Sequence, residues 1–198
     1  MEFKSVKHTV ESSFKEKKSK FIGISFPINN ENEFTQMLDL IKKKHPKSNH
    51  FCYAYTLFNY PHNITKQSDD GEPLNSAGKP ILNQIEKLNL LNTAVVVVRF
   101  FGGTKLGVGG LIRAYKHAAE QTLNQQEVIL NENLKEIYYK FKYEHQKEVL
   151  EIIKRLNKEM ITHTMKEEYH MKLRLTEKEY EKVLNELKKV NSIVFLKD

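Results

Sequence analysis

Glycine and proline are confined to the first part of this 198-residue chain, and this distribution limits its possible folds more than any other feature. All eight glycines and all five prolines lie at or before Gly110, so the last 88 residues contain neither. Because these two residues form most tight turns and end regular elements, a shift of this size indicates two differently built regions. The sequence therefore predicts two domains, at residues 1–130 and 131–198.

The first domain is predicted to mix strands and helices. Alternating apolar residues predict a β-hairpin from strands at residues 6–14 and 22–28. Asn30 and Glu33 form a capping-box pair that starts a helix. The later patterns predict a strand at residues 50–58, a polar surface loop at residues 59–78, a helix that starts at Pro80, a buried strand in the run TAVVVVRF and a helix that begins near Gly110.

The second domain has a simple order of elements. Its patterns predict a strand near Ile137, a helix near Val149, strands at residues 160–165 and 169–175, a helix near Tyr180 and a last strand at residues 193–196. This βαββαβ order is ferredoxin-like, and with the first domain it places the chain in the α/β (α+β) class. The ferredoxin-like fold has many unrelated uses, so it implies no function by itself.

The charge balance favours polyanionic partners. The chain carries 32 basic and 25 acidic side chains, and residues 1–130 hold 17 and 12 of them, a net charge of +5. An excess of this kind favours contact with RNA, although it also serves solubility. The first domain is therefore the expected RNA-binding part.

The N-terminal segment and the single cysteine indicate a cytoplasmic protein. The chain starts with acidic and basic residues instead of an apolar export segment, and its longest apolar run is too short to span a bilayer. Cys52 has no partner for an internal disulfide. We expect a cytoplasmic location and no contact with a membrane.

Seven of the eight glycines lie within residues 71–110, and this cluster carries the main functional signal. Five of them connect the buried strand to the following helix: Gly102, Gly103, Gly107, Gly109 and Gly110. Free amides at the start of that helix, with Arg99, Lys105 and Arg113 nearby, would suit a phosphate group. Glycine turns that pack against the sheet explain the cluster equally well.

Known nucleotide and metal motifs do not fit the chain. The segment GVGGLI lacks the last glycine of the dinucleotide fingerprint, and no glycine is followed by Lys-Ser or Lys-Thr as a Walker loop requires. Asp69, Asp70 and Glu72, with His50, could hold Mg²⁺, but acids around a glycine are more typical of a turn. We therefore expect neither a cofactor nor a metal ion.

Three long motifs resemble the signature of the IMPACT/YigZ family. They are SKFIG, SDDGEPLNSAGKP and RFFGGTKLGVGGLIRAY, with His50 at the start of the intervening strand. The resemblance implies a first domain like the second domain of a small-subunit ribosomal protein and domain IV of elongation factor G. It implies a ferredoxin-like second domain like domain V of the same factor.

The resemblance also implies a place for function. The motif residues expected to line one conserved cleft are His50, Ser68, Asp69, Asp70, Gly71, Glu72, Lys79 and Tyr115. Members of this kind are expected to touch RNA or the ribosome, and eukaryotic relatives act in translation control through a stress-responsive kinase. That kinase role belongs to an additional N-terminal domain, so the shared segment does not imply it.

Three functions stay open at this level. The first is a non-enzymatic protein that binds RNA or the ribosome without DNA specificity and acts in translation or its regulation. The second is a small enzyme whose cleft collects His50, Asp69, Asp70, Glu72, Arg99 and Arg113, although no nucleophile with its base is recognisable. The third is a module that binds a protein partner. For the first function, the aromatic residues able to stack bases are Tyr53, Tyr55, Phe100 and Phe101, most of which have the strand positions of core residues.

Overall fold

The chain folds into two compact units. The computed structural model describes residues 2–59, 61–132, 134–155, 160–165, 168–190 and 193–196. One unit comprises Phe3–Asn131, and the other comprises Glu132–Asp198 with Met1–Glu2. Among the described helices, none is both long and apolar enough to cross a bilayer.

The first unit contains seven strands and three helices among its described residues. In chain order they are β1 (Glu2–Val6), β2 (Val10–Glu16), β3 (Ser19–Pro27), α1 (Glu31–Lys44), β4 (His50–Leu57), β5 (Ile64–Ser68), α2 (Gly78–Lys87), β6 (Thr93–Phe100), α3 (Val108–Leu123) and β7 (Val128–Glu132). Strands β2-β3-β6-β4-β5 form one antiparallel sheet in that order, and β1 pairs with β7. The β-branched run of β6 therefore lies at the centre of the sheet.

Helices cover both faces of this sheet. Val95 and Val97 of β6 pack in one core with residues of α2 and α3, whereas Val96 and Val98 pack in another core with residues of α1. Successive side chains of a strand point to opposite faces, so a continuous apolar run is what a strand between two helical layers requires. Each buried valine contributes about 1.5–3 kcal/mol relative to exposure.

Local signals in the sequence set several boundaries correctly. The Oδ1 atom of Asn30 accepts a hydrogen bond from the Glu33 amide at 2.9 Å, which is half of the predicted capping box of α1. The predicted hairpin is present as β2 and β3, joined by a two-residue turn at Lys17 and Lys18. Both lysines have positive φ angles, as this tight turn requires.

Two local predictions need correction. The segment at residues 59–78 is not loop throughout, because Ile64–Ser68 forms the edge strand β5 against β4. An exposed edge strand needs little apolar alternation, so its polar sequence gave no signal. The strand predicted at residues 6–14 is interrupted: β1 ends at Val6 and β2 begins at Val10.

The second unit has the predicted βαββαβ order. Its elements are β8 (Leu134–Lys142), a short 3₁₀ helix (Tyr143–His145), α4 (Gln146–Lys154), β9 (Met160–Met165), β10 (Glu168–Thr176), α5 (Glu177–Leu187) and β11 (Val194–Leu196). The sheet order is β11-β8-β10-β9, with each neighbouring pair antiparallel. Tyr139, Leu173 and Val183 lie in its core with residues of both helices. The likeness of either unit to domains of elongation factor G stays a prediction.

The connection between the units generates a prediction about folding. Asn124, Gln125 and Glu127 are exposed, and each unit has its own apolar core. We expect a protease of broad specificity to cut first at residues 124–133 and to release two resistant fragments, identified by mass spectrometry. First cleavage inside residues 169–187, or one indivisible resistant fragment, would argue against two separately folded units.

Candidate functional site

The site begins with two residues that face each other across the sheet. His50 opens β4 and pairs in register with Arg99 near the end of β6. Alternation along the two strands puts both residues on the face that carries Cys52 and Val97, beneath α2 and α3. Arg99 is buried at 5% exposure, although it is charged. A buried guanidinium needs a partner, and the sequence supplies one from a distant loop.

Glu72 is that partner. It follows β5 in the SDDGE segment, and its Oε1 atom accepts hydrogen bonds from Nη1 of Arg99 at 2.5 Å and from the hydroxyl of Tyr115 at 2.8 Å. The side chains of the ion pair are only 6% and 5% exposed. Burial of two charges is costly unless geometry and further hydrogen bonds compensate, and the Tyr115 hydroxyl provides one such bond.

Aromatic rings flank the guanidinium of Arg99. Its Cζ atom lies 5.6 Å from the ring centroid of Phe21 and 5.5 Å from that of Phe101. Both distances fit cation–π contacts. Phe21 is fully buried, whereas Phe101 is 47% exposed, so one ring supports the guanidinium from inside and the other separates it from solvent.

Asp69 holds the start of α2. Its Oδ1 atom accepts hydrogen bonds from the amides of Ala77 (2.9 Å) and Gly78 (2.8 Å), and its Oδ2 atom accepts one from Asn75 (2.8 Å). Ala77 occupies the N-cap position and has no side chain able to cap. A carboxylate at a helix N-terminus satisfies free amides and interacts favourably with the helix dipole. Asp69 therefore caps α2 and does not line the cleft.

Asp70 orients His50. Its carboxylate accepts a hydrogen bond from the Phe51 amide, and its backbone carbonyl lies 2.7 Å from Nδ1 of His50. A carbonyl only accepts, so we assign the ring proton to Nδ1, which leaves Nε2 of neutral His50 as an acceptor. Nε2 lies 4.0 Å from Oε1 of Glu72. The residues Asp70 and Gly71 both have positive φ angles, which the tight turn between these contacts requires.

Cys52 and Tyr115 are neutral groups beneath the cleft. Burial raises the pKa of the Cys52 thiol far above its usual range, and the thiol donates to the carbonyl of Asp69 at 3.0 Å. Burial also raises the pKa of the Tyr115 hydroxyl, and the nearby Cys52 and Glu72 add to this effect. At neutral pH neither group supplies a thiolate or a phenolate.

His50, Glu72 and Arg99 form the polar floor of a cleft with a volume of about 410 Å³. Its lining combines polar residues with a larger apolar wall. The lining residues are His50, Glu72, Pro73, Arg99, Phe101, Lys105, Leu106, Gly107, Val108 and Leu111. This volume lies within the range of small-molecule binding pockets.

The glycine turn before α3 forms one side of the cleft. Gly107 is the N-cap residue at φ 71°, and no described side chain caps the helix or places an acid in its first turn. Added Cβ atoms at Gly103 and Gly107 would meet no described atom within 4 Å, so the backbone is open there. Gly109 and Gly110 lie in the first turn of α3, where Gly110 packs against Leu106.

Close packing explains why Gly102 has no side chain. A Cβ atom there would lie 2.1 Å from the carbonyl carbon of Lys18, because the β2–β3 turn crosses directly over it. Its amide donates to Oγ of Ser19 at 3.2 Å. Gly102 therefore permits close packing of two turns, whereas Gly103 and Gly107 have positive φ angles that favour glycine and also leave an open surface.

The structure separates Arg113 from the cleft, so the expectation of one cleft with Arg99 and Arg113 is corrected. Arg113 lines a second depression of about 290 Å³, together with Phe14, Glu16, Lys17, Leu106, Gly110, Ala114 and His117. Leu111 and Tyr115 lie one helical turn apart and face the sheet, whereas Arg113 lies off that stripe. Helical phase therefore explains the separation.

Other predicted residues also lie outside the cleft lining. Lys79 is exposed on α2 and forms an ion pair with Glu86 at 3.7 Å. Oγ of Ser68 accepts a hydrogen bond from the Asp70 amide at 3.2 Å. Among the residues that the structure describes, no group of three or more acids, histidines or cysteines could hold a metal ion.

Of the four aromatic residues considered for base stacking, only Phe101 is exposed at the cleft. Tyr55 is buried, and Tyr53 and Phe100 pack against the core beneath α1. The sequence did not single out Leu106 or Val108, which line the cleft beside Phe101. The only sequence feature that could have indicated these two residues is their position, with Leu106 just before α3 and Val108 at its start.

Comparison with known proteins identifies relatives of the first unit. A family profile described as the Impact N-terminal domain matches residues 17–123. The IMPACT family member YvyE of Bacillus subtilis is 41% identical over 125 residues, which cover 63% of this chain and 57% of that protein. The IMPACT family member YigZ of Escherichia coli is 35% identical over 111 residues, 55% of this chain and 54% of that protein. The match thus spans little more than half the length of either relative.

A solved structure shares the fold. The crystal structure of a hypothetical protein matches with a TM-score of 0.74 at 24% identity, over 100% of this chain and 97% of that chain. At this identity the likeness establishes the fold alone.

The buried ion pair leads to a stability prediction. Replacement of Arg99 by methionine leaves the Glu72 carboxylate buried without its cation, so we expect R99M to lower the free energy of unfolding by about 3–5 kcal/mol. The double variant E72Q/R99M should recover part of this loss. K79M, which breaks the exposed pair with Glu86, should cost about 1 kcal/mol or less. Urea unfolding followed by circular dichroism measures all three, and equal losses in R99M and K79M would contradict the assignment.

Proposed function

This chain belongs to the family of the Impact N-terminal domain, and from this membership and the site we propose that it binds RNA or the ribosome and acts, without catalysis, in translation or its regulation. The observation that carries the proposal is the open glycine turn at the start of α3, with basic residues on both sides of it. The link to translation is what the family resemblance implies.

The start of α3 suits a phosphate group. The first amides of a helix have no partner within the helix, and here no described side chain caps them. The aligned peptide dipoles of this 16-residue helix add partial positive charge at the same end. The open backbone at Gly103 and Gly107 lets a phosphate approach these amides closely.

Basic side chains extend this surface in two directions. Lys105 lines the cleft on one side of Leu106. Lys17, Arg113 and His117 line the depression on the other side, where Glu16 is the one acid among the described lining residues. Two cationic depressions that share one wall fit a chain of phosphates better than a single small anion. The net charge of +5 on residues 1–130 supports the same class of partner.

A small enzyme is the second candidate, and the polar floor of the cleft favours it. In neutral His50, Nε2 is an acceptor that lies 4.0 Å from Oε1 of Glu72, so His50 is the residue placed to accept a proton beside the buried Glu72–Arg99 pair. The neutral thiol of Cys52 and the hydroxyl of Tyr115, which donates to Glu72, speak against covalent catalysis by either group. An activity abolished by H50A in a variant that still binds RNA would favour this candidate.

The RNA hypothesis predicts a strong dependence on salt. Fluorescence anisotropy with a short labelled RNA should give an affinity that falls by roughly 0.7 log units per log unit of salt for each phosphate neutralised. The double variant K105E/R113E should bind more weakly, and its slope should be smaller by about 0.7 for each phosphate that it no longer neutralises. Circular dichroism should show that this variant keeps the wild-type fold, because the altered side chains lie at the surface.

Two control variants carry the same change of charge. K42E/K43E alters α1, which covers the opposite face of the sheet, and K188E/K189E alters the second unit. Both should bind RNA nearly as tightly as the wild type. No binding at low salt, or equal losses in all three double variants, would remove the proposal and favour the enzyme or a protein partner.

A further inference from the structure

One wall of the cleft consists of large apolar side chains that are exposed to solvent. Phe101 and Val108 are 47% and 52% exposed, and both face the same cleft as Pro73, Leu106 and Leu111. Large apolar side chains grouped around a cavity mark a binding surface more often than isolated ones do. Phe101 also keeps one ring face against the Arg99 guanidinium at 5.5 Å, which fixes the ring in place.

The floor of the same cleft is polar and incompletely paired. In the neutral form of His50, Nε2 is an acceptor, because the ring proton lies on Nδ1 and is donated to the Asp70 carbonyl. Nε of Arg99 also has no hydrogen-bond partner among the residues that the structure describes, but this donor is fully buried and does not face the ligand. Glu72 contributes a carboxylate whose charge Arg99 balances. A ligand that fits must therefore combine a flat apolar body with a polar edge.

A nucleobase has this combination, and its phosphate would fall on the rim. Lys105 and Gly107 line the cleft where α3 begins, next to the uncapped amides. We propose that the cleft binds one base of single-stranded RNA, stacked on Phe101, with its backbone phosphate at the glycine turn. This inference rests on the proposed RNA-binding function and adds to it a pocket that reads a base.

The acceptors on the floor select the type of base. His50 Nε2 and the Glu72 carboxylate both accept hydrogen bonds, so they match an exocyclic amino group, as in cytosine or adenine. Uracil presents a carbonyl oxygen at the corresponding position and would place two acceptors together. We expect the cleft to prefer cytosine over uracil, which have nearly the same shape.

The test compares three labelled pentamers of equal charge: pentacytidylate, pentauridylate and an abasic oligomer. Anisotropy with the wild-type protein should rank them in that order, with cytidylate roughly tenfold tighter than the abasic oligomer, as expected for a stacked base. F101L keeps an apolar side chain but removes the aromatic face, so it should bring both base-containing oligomers close to the abasic one. H50L should remove the difference between cytidylate and uridylate.

A matched control and the salt dependence separate the possible failures. L40A shortens a leucine that is 58% exposed on α1, and it should leave all three affinities unchanged. Equal, salt-dependent binding of the three oligomers would overturn the base pocket and leave phosphate binding intact. Tighter binding of uridylate than cytidylate would overturn the proposed edge recognition. If no oligomer binds, the RNA function fails, and titration with cytidine monophosphate then decides the pocket: unchanged NMR signals of the His50 ring would overturn it too.

Discussion

The burial of Arg99 is the constraint on which the rest of the site depends. A guanidinium at the end of the central strand cannot stay unpaired under two helices, and the compensating charge comes from Glu72, 27 residues earlier in the chain. To reach Arg99, the SDDGE segment must fold back over the start of β4. In that position Asp70 meets Phe51 and His50, and Asp69 reaches the first amides of α2. One ion pair thus fixes the loop, the orientation of His50 and the cap of a helix.

The other wall of the cleft follows from the close approach of two turns. The β2–β3 turn lies directly over Gly102, so the chain after β6 has one course toward α3. Along this course Phe101 covers Arg99, and Lys105 and Gly107 reach the rim. The arrangement leaves helix amides and cations at the surface and apolar side chains below them. Single-stranded RNA has the matching order of parts, with phosphates outside and bases free to turn inward.

Patterns within single elements were sufficient to predict most of the fold. The run TAVVVVRF identified the central strand, Asn30 and Glu33 identified the start of α1, and the element order identified the ferredoxin-like arrangement of the second unit. The strand β5 was not predicted, because an exposed edge strand has no apolar alternation. These successes and this failure share a cause: a half-buried element leaves a periodic apolar pattern and a fully buried strand a continuous apolar run, whereas an exposed strand leaves neither.

The site was predictable only in part, since it depends on which residues meet across the fold. The family motifs predicted four site residues that the structure brings together: His50, Glu72, Arg99 and Tyr115. They also named Arg113, which the phase of α3 turns toward the second depression. Phe100 and Phe101 are adjacent in sequence, yet Phe100 packs beneath α1 and Phe101 lies past the end of β6 at the cleft. Strand phase predicts the first position, but the second depends on the path of a loop, for which the sequence has no periodic signal.

RNA binding at the glycine turn is tested most directly by the backbone amide NMR shifts of the ¹⁵N-labelled protein when a short single-stranded RNA is added. We predict that the largest changes occur at Gly103 and at the start of α3, at Gly107, Val108 and Gly109, with smaller changes along α1. Such a map would place the nucleic acid at the uncapped helix start, on the side of the sheet that carries the Arg99–Glu72 pair. Changes concentrated on α1 or in the second unit, with the amides of Gly103 to Gly109 unmoved, would contradict this placement.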